Sequence, residues 1–177
     1  AIILEDLLDI LNLMSGYKIE VNKHLENKII LMIQWITPMT HPDGRISFFN
    51  DSTFGISSEI IDIFSYAKEL GIKIRKKKQN IVDMFDSGYF KVENSNAYLI
   101  FDVSNIGPDY LPAHGHADTL SFELSLYGER FIVNSGISTY KNNEIRNFQR
   151  GTIAHSTSSI DNKNSSEVWS SFRVGRR

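Results

Sequence analysis

Hydrophobic spacing changes character once along this chain, near residues 72–78, and that change limits it to a helical part followed by a sheet. Before it, Ile3, Leu4, Leu7, Leu8, Leu11 and Met14 recur at helical intervals and Gly16 stands where a helix would stop. A second helix is predicted over 21–35, with Leu25, Ile29, Met32 and Ile36 on one face and Pro38 beyond its end. Ser57, Ser58 and Glu59 introduce a third over 60–70, closed by Gly71. After it, short alternating runs rich in aromatic and β-branched residues are separated by Gly, Asn, Ser and Pro clusters. The strands expected are 89–93, 97–103, 120–126, 130–134 and 168–173, forming an antiparallel sheet. The domains divide at the basic connector, 1–78 helical and 79–177 sheet. Its charges, Lys73, Arg75, Lys76, Lys77 and Lys78, read as a solvated linker.

With 177 residues and 41% hydrophobic content the chain can bury a core. Its 19 basic and 21 acidic residues nearly cancel, which removes the broad positive field of a nucleic-acid binder. Any polyanion must therefore be met by a local patch. Without cysteine there are no disulfides and no thiolate metal sites. No run approaches the roughly 18 apolar residues of a membrane span. The opening AIILEDLLDILNLM carries acids where a signal peptide needs bases, and the chain reads as an excised piece of something longer.

The stretch Pro112-Ala113-His114-Gly115-His116-Ala117-Asp118 concentrates the chemistry. If extended, it projects His114, His116 and Asp118 to one face, and imidazole nitrogen with carboxylate oxygen suits zinc. The alternative is a pair of ordinary surface or hydrogen-bonded histidines. His24 and His41 match no ligand spacing, and Trp35 and Trp169 read as core aromatics.

Downstream come NSG at 134–136, an arginine-bearing approach to AHST at 154–157, and EVWSSFRVGRR at 167–177. Taken in order with HGHADTLSFEL at 114–124, these motifs resemble the C-terminal sandwich domain of heparinase II/III-like proteins, over about residues 86–177. The resemblance implies an α+β multidomain architecture, in which the C-terminal end of an α/α toroid runs into the start of an antiparallel β-sandwich. It also implies a polysaccharide lyase that cleaves a uronic-acid-containing acidic polysaccharide or oligosaccharide by β-elimination, in the periplasm or outside the cell.

Carried over by motif, His114 is the cleft histidine, and His116, Asn134 and His155 hold a structural zinc. Many relatives have aspartate where this chain has Asn134, and a neutral amide compensates less of the metal's charge. Asp118 then either stands behind the ligands, orienting one of the imidazoles, or substitutes for a ligand. The family's catalytic tyrosine belongs to the toroid, upstream of Ala1, so this piece is not expected to act alone. Tyr140 is a second catalytic candidate, against a plain packing role. Arg146 and Arg150 are candidates for gripping anionic sugar, against internal ion pairing. The rival function, to which Asn134 gives weight, is a non-catalytic glycan-binding or polysaccharide-assembly protein on the same scaffold. The sequence sets no oligomeric state.

Overall fold

The computed structural model describes residues 1–74 and 79–177, and Arg75 to Lys78 of the basic connector lie outside the described residues. Two compact units emerge. The first comprises Ala1–Thr40, Gly44–Ile46 and Phe54–Lys78, and the second His41–Asp43, Ser47–Thr53 and Gln79–Arg177. The units therefore interleave in sequence, where a single cut after residue 78 is the simplest reading of the periodicity.

The first unit holds α1 (Ile2–Gly16), α2 (Lys23–Ile36) and α3 (Ile60–Glu69). Leu4, Leu8 and Leu11 of α1 face Ile29, Ile33 and Ile36 of α2 and Ile60, Ile63 and Ala67 of α3 in one apolar cluster. Asn22 caps α2, its side-chain oxygen accepting the backbone N–H of His24 at 2.8 Å. No helix among the described residues is long and apolar enough to cross a membrane. Trp35 is 41% exposed, so it is not a core residue.

In the second unit β1 (Ile81–Met84), β2 (Tyr89–Glu93), β3 (Ala97–Asp102), β4 (Phe122–Leu126) and β5 (Glu129–Ile132) form an antiparallel meander in chain order. β1 is not expected from the sequence, because four residues with one acid carry little alternation. The 168–173 run is not one strand but a hairpin, β6 (Val168–Trp169) and β7 (Arg173–Val174), turned at Ser170 with φ +53°. Trp169, on this hairpin, is exposed rather than in the core. A helix that the periodicity does not reveal, α4 (Glu144–Arg150), is capped by Asn143, whose side chain accepts the N–H of Arg146 at 2.9 Å.

The buried face of the meander is unexpectedly polar. Lys91, Ile100 and Glu123 stand side by side across β2, β3 and β4, and all three are buried, as is Ser125. Glu123 explains how such a face is tolerated. One carboxylate oxygen accepts the backbone N–H of Phe48 at 2.9 Å and of Asn134 at 3.0 Å, and the other meets His41 Nε2 at 2.8 Å. His41 Nδ1 in turn meets the Ser125 hydroxyl at 2.7 Å. A buried acid needs this density of partners. His41, which matches no ligand spacing, is thus a structural pin between the 41–43 stretch and the sheet. We expect Glu123→Ala to lower unfolding stability by about 3–5 kcal/mol, because it strands two backbone donors and a buried imidazole. Glu129→Ala, at an exposed position, should change it by less than about 0.5 kcal/mol, both read by denaturant titration.

Candidate functional site

The HGHAD segment is irregular rather than extended, and its side chains part company. His114 is 60% exposed at its side chain, whereas His116 and Asp118 are buried. The reason is α4. Arg146 and Arg150, one turn apart on the same face, are both fully buried and draw surrounding segments onto the helix. Arg150 donates from Nε and one terminal nitrogen to the Gly115 carbonyl at 3.2 and 2.9 Å. Its other terminal nitrogen bonds the carbonyls of Trp169 at 3.2 Å and Ser170 at 3.1 Å in the β6–β7 turn. Ala117 closes the arrangement by donating its N–H to the Arg150 carbonyl at 2.9 Å.

Arg146 donates from Nε to the Ser171 carbonyl at 3.0 Å and grips Asp51 in a fork, with contacts of 2.5 and 2.9 Å. Both arginines thus have protein acceptors: Arg146 makes the internal ion pair weighed against sugar binding, whereas Arg150 is held by backbone carbonyls. Asp51 is the member of this cluster that sequence reasoning missed. It lies in FFND, a stretch with no recognisable spacing to the histidines, 63 positions before His114. Its side chain is only 7% exposed. Besides Arg146 it binds His114 Nδ1 at 2.6 Å and His116 Nε2 at 2.8 Å. Burial alone would raise its pKa, but the hydrogen bonds from His116, Arg146 and His114 outweigh that and hold it at about 2. The stretch that bears Asp51 is held by the NSG turn, where Ile137 donates to the Ser52 carbonyl at 3.2 Å. Gly136 has φ +61°, and a Cβ there would come within 2.8 Å of that same oxygen, so the turn requires glycine.

The second constellation is inward. His116 Nδ1 lies 3.3 Å from His155 Nε2, and one ligand atom from each of His116, Asp118 and His155 falls within 4.8 Å of the others. The outer partners fix the tautomers. Asp51 only accepts, so His116 carries its proton on Nε2 and turns a lone pair at Nδ1 inward. His155 Nδ1 is 3.3 Å from the Asn134 side-chain oxygen, an atom identified as oxygen because it accepts the Ser156 N–H at 3.1 Å. His155 therefore also turns a lone pair inward. Burial lowers the pKa of both imidazoles, that of His155 to about 3 with help from neighbouring His116, so neither charges near neutrality. Two lone pairs facing each other at this distance call for a cation between them.

Asp118 adds to that fit. One of its carboxylate oxygens is buried with no hydrogen-bond partner among the described residues. Burial, then the charge of Asp102, pushes its pKa up to about 7, an electrostatic cost that a cation would relieve. These three residues could hold a metal ion. Asn134, expected as the third ligand, is buried beside them, but its oxygen faces Ser156 and His155 and its amide nitrogen has no partner among the described residues. Tyr140 sits with His114, ring centroids 6.0 Å apart, and Phe172 completes a trio, edge-on to His114 at 5.6 Å and tilted against Tyr140 at 5.3 Å. Burial raises the Tyr140 pKa, and nearby Asp51 adds to it, so its hydroxyl keeps its proton.

Solved structures share this arrangement of the chain. A heparinase III gene product aligns with a TM-score of 0.76 and 20% identity, over 91% of this chain and 28% of its own. Heparan sulfate lyase HepC from Pedobacter heparinus aligns with a TM-score of 0.68 and 20% identity, over 91% and 28%. Another heparinase III gives 0.70 and 18%, over 96% and 31%. The chain thus spans less than a third of the length of these proteins. No curated protein matches it in sequence. Residues 76–177, more than half of the chain, match the family model described as "Heparinase II/III-like, C-terminal". On that match the chain belongs to the heparinase II/III-like family.

Proposed function

We propose that this chain is part of a polysaccharide lyase acting by β-elimination on a uronic-acid-containing glycan, with His114 as its base. The observation that carries the proposal is the state of His114. It is the exposed histidine of HGHAD, tied by Nδ1 to a buried carboxylate and ringed by Tyr140 and Phe172, with its Nε2 taking no hydrogen bond from the described residues. Elimination needs a base for the proton α to the uronate carboxylate, a donor for the departing glycosidic oxygen, and a group that offsets the uronate charge. His114 suits the first role, and Tyr140, which keeps its proton and is 49% exposed, suits the second. Arg146 and Arg150 support the site from beneath, so charge compensation falls to groups other than these two. An acidic glycan such as heparan sulfate, on which one matching structure is named as acting, fits this chemistry.

The inward group suits zinc. Two imidazole nitrogens on one zinc at the usual bond length and a tetrahedral angle lie about 3.3 Å apart, which is the spacing of the His116 and His155 nitrogens. His116 and His155 would hold the ion, with Asp118 the carboxylate nearest at hand and Asn134 orienting His155. A zinc bound there would supply positive charge and cross-link the 116–118 segment to residue 155, a structural service.

Two measurements test these readings. The protein in its full natural chain, given heparan sulfate, alginate, hyaluronan and chondroitin, should produce the ultraviolet absorbance of unsaturated uronate with at least one of them. His114→Ala should lower kcat at least about 100-fold there. Unchanged turnover would remove His114 from the chemistry, and binding without product on every glycan would favour the glycan-binding rival. Elemental analysis should find about one zinc per chain, lost in His155→Ala; protein that takes up none from excess zinc would sink the metal assignment.

A further inference from the structure

One carboxylate serves both constellations. Asp51 receives His114 on one oxygen and His116 on the other, while the Arg146 fork spans both. We propose that Asp51 is the positioning residue of the lyase site: it holds His114 with its proton on Nδ1, so that Nε2 presents a lone pair outward. This rests on the reading of His114 as the base.

The geometry leaves little freedom. An ionised carboxylate has no proton to give, so an imidazole nitrogen 2.6 Å away must be the donor. Asp51 cannot swing away, because Arg146 binds both of its oxygens and is itself tied to the Ser171 carbonyl. The His114 ring packs in T-shaped contact with Tyr140 and Phe172, which adds to the hold of Asp51 on its orientation. In the opposite tautomer the outward nitrogen would be a donor, useless as a base. In the proposed tautomer, Nε2 takes the α-proton as the C–H pair becomes the new carbon–carbon double bond. The glycosidic oxygen leaves with its bonding pair and takes a proton from Tyr140. The imidazolium so formed stays beside the Asp51 anion, which stabilises it without accepting its proton.

The arrangement also explains why Arg146 is buried in a site for anionic substrate. Without it, a buried carboxylate would carry two histidines and no compensating charge. Arg146 keeps Asp51 ionised, Asp51 orders His114, and the guanidinium lies against the Tyr140 and Phe172 rings at 5.1 and 5.4 Å.

The test reads the tautomer directly. Protein in its full natural chain, nitrogen-15 labelled at histidine, is examined by long-range nitrogen–proton correlation at about pH 9, above the ordinary histidine range. The His114 signals are assigned by their loss in His114→Ala. Wild type should show the proton on Nδ1. Asp51→Asn, whose amide offers one acceptor to two imidazoles, should shift His114 wholly or partly to the Nε2 form and lower kcat about 10- to 100-fold with KM within about twofold. A wild-type proton on Nε2 overturns the proposal, as does an Asp51→Asn protein that keeps both the Nδ1 form and its turnover. If that variant fails to fold, the wild-type spectrum decides alone. Lyase silence from a wild type with the Nδ1 form would instead count against the proposed activity and leave the positioning of His114 by Asp51 standing.

Discussion

The fork between Arg146 and Asp51 is the interaction on which the second unit's order depends. Each member of the pair is a charge removed from water, and each is tolerated only because the other is there with further hydrogen bonds around it. Arg146 comes from α4 and Asp51 from the 47–53 stretch, so the pair joins two segments 95 positions apart. His114, His116, the β6–β7 turn and the rings of Tyr140 and Phe172 take their places against those two side chains. A lone charge at either position would have to find water, and the local fold would have to open to admit it.

A second buried acid does the same work on the sheet. Glu123 and His41 hold the 41–43 stretch and the start of 47–53 to β4, through a backbone donor on Phe48 and the Ser125 hydroxyl. The buried face of the meander thereby includes polar groups whose partners are specified one by one, beside apolar contacts such as Phe49 on Tyr89. Such a surface tolerates one register only. A shift of β4 by one residue would turn Glu123 and Ser125 away from His41 and bury their neighbours instead.

Elements with strong internal periodicity are legible in the sequence. α1 and α3 follow their apolar spacing closely, and β2 begins and ends as its aromatic and β-branched run suggests. β1, α4 and the β6–β7 hairpin are not legible there, because each is held by partners distant along the chain. α4 in particular, EIRNFQR, owes its place to two arginines that reach carbonyls on other segments. HGHAD is legible as chemistry but not as geometry. An alternating pattern sends three side chains one way only if the backbone is a strand, and here the Gly115 carbonyl is drawn to Arg150 instead.

From the sequence alone came the family and the candidate side chains of HGHAD, because the order of HGHAD, NSG and AHST survives without knowledge of their spatial partners. Only the tertiary structure decided which histidine faces solvent, which two turn their lone pairs together, and that Asp51 stands between them. A carboxylate's role depends on what lies within about 3 Å of it. Residues 51, 114, 116 and 146 are brought within that distance by folding, and by nothing in their spacing along the chain.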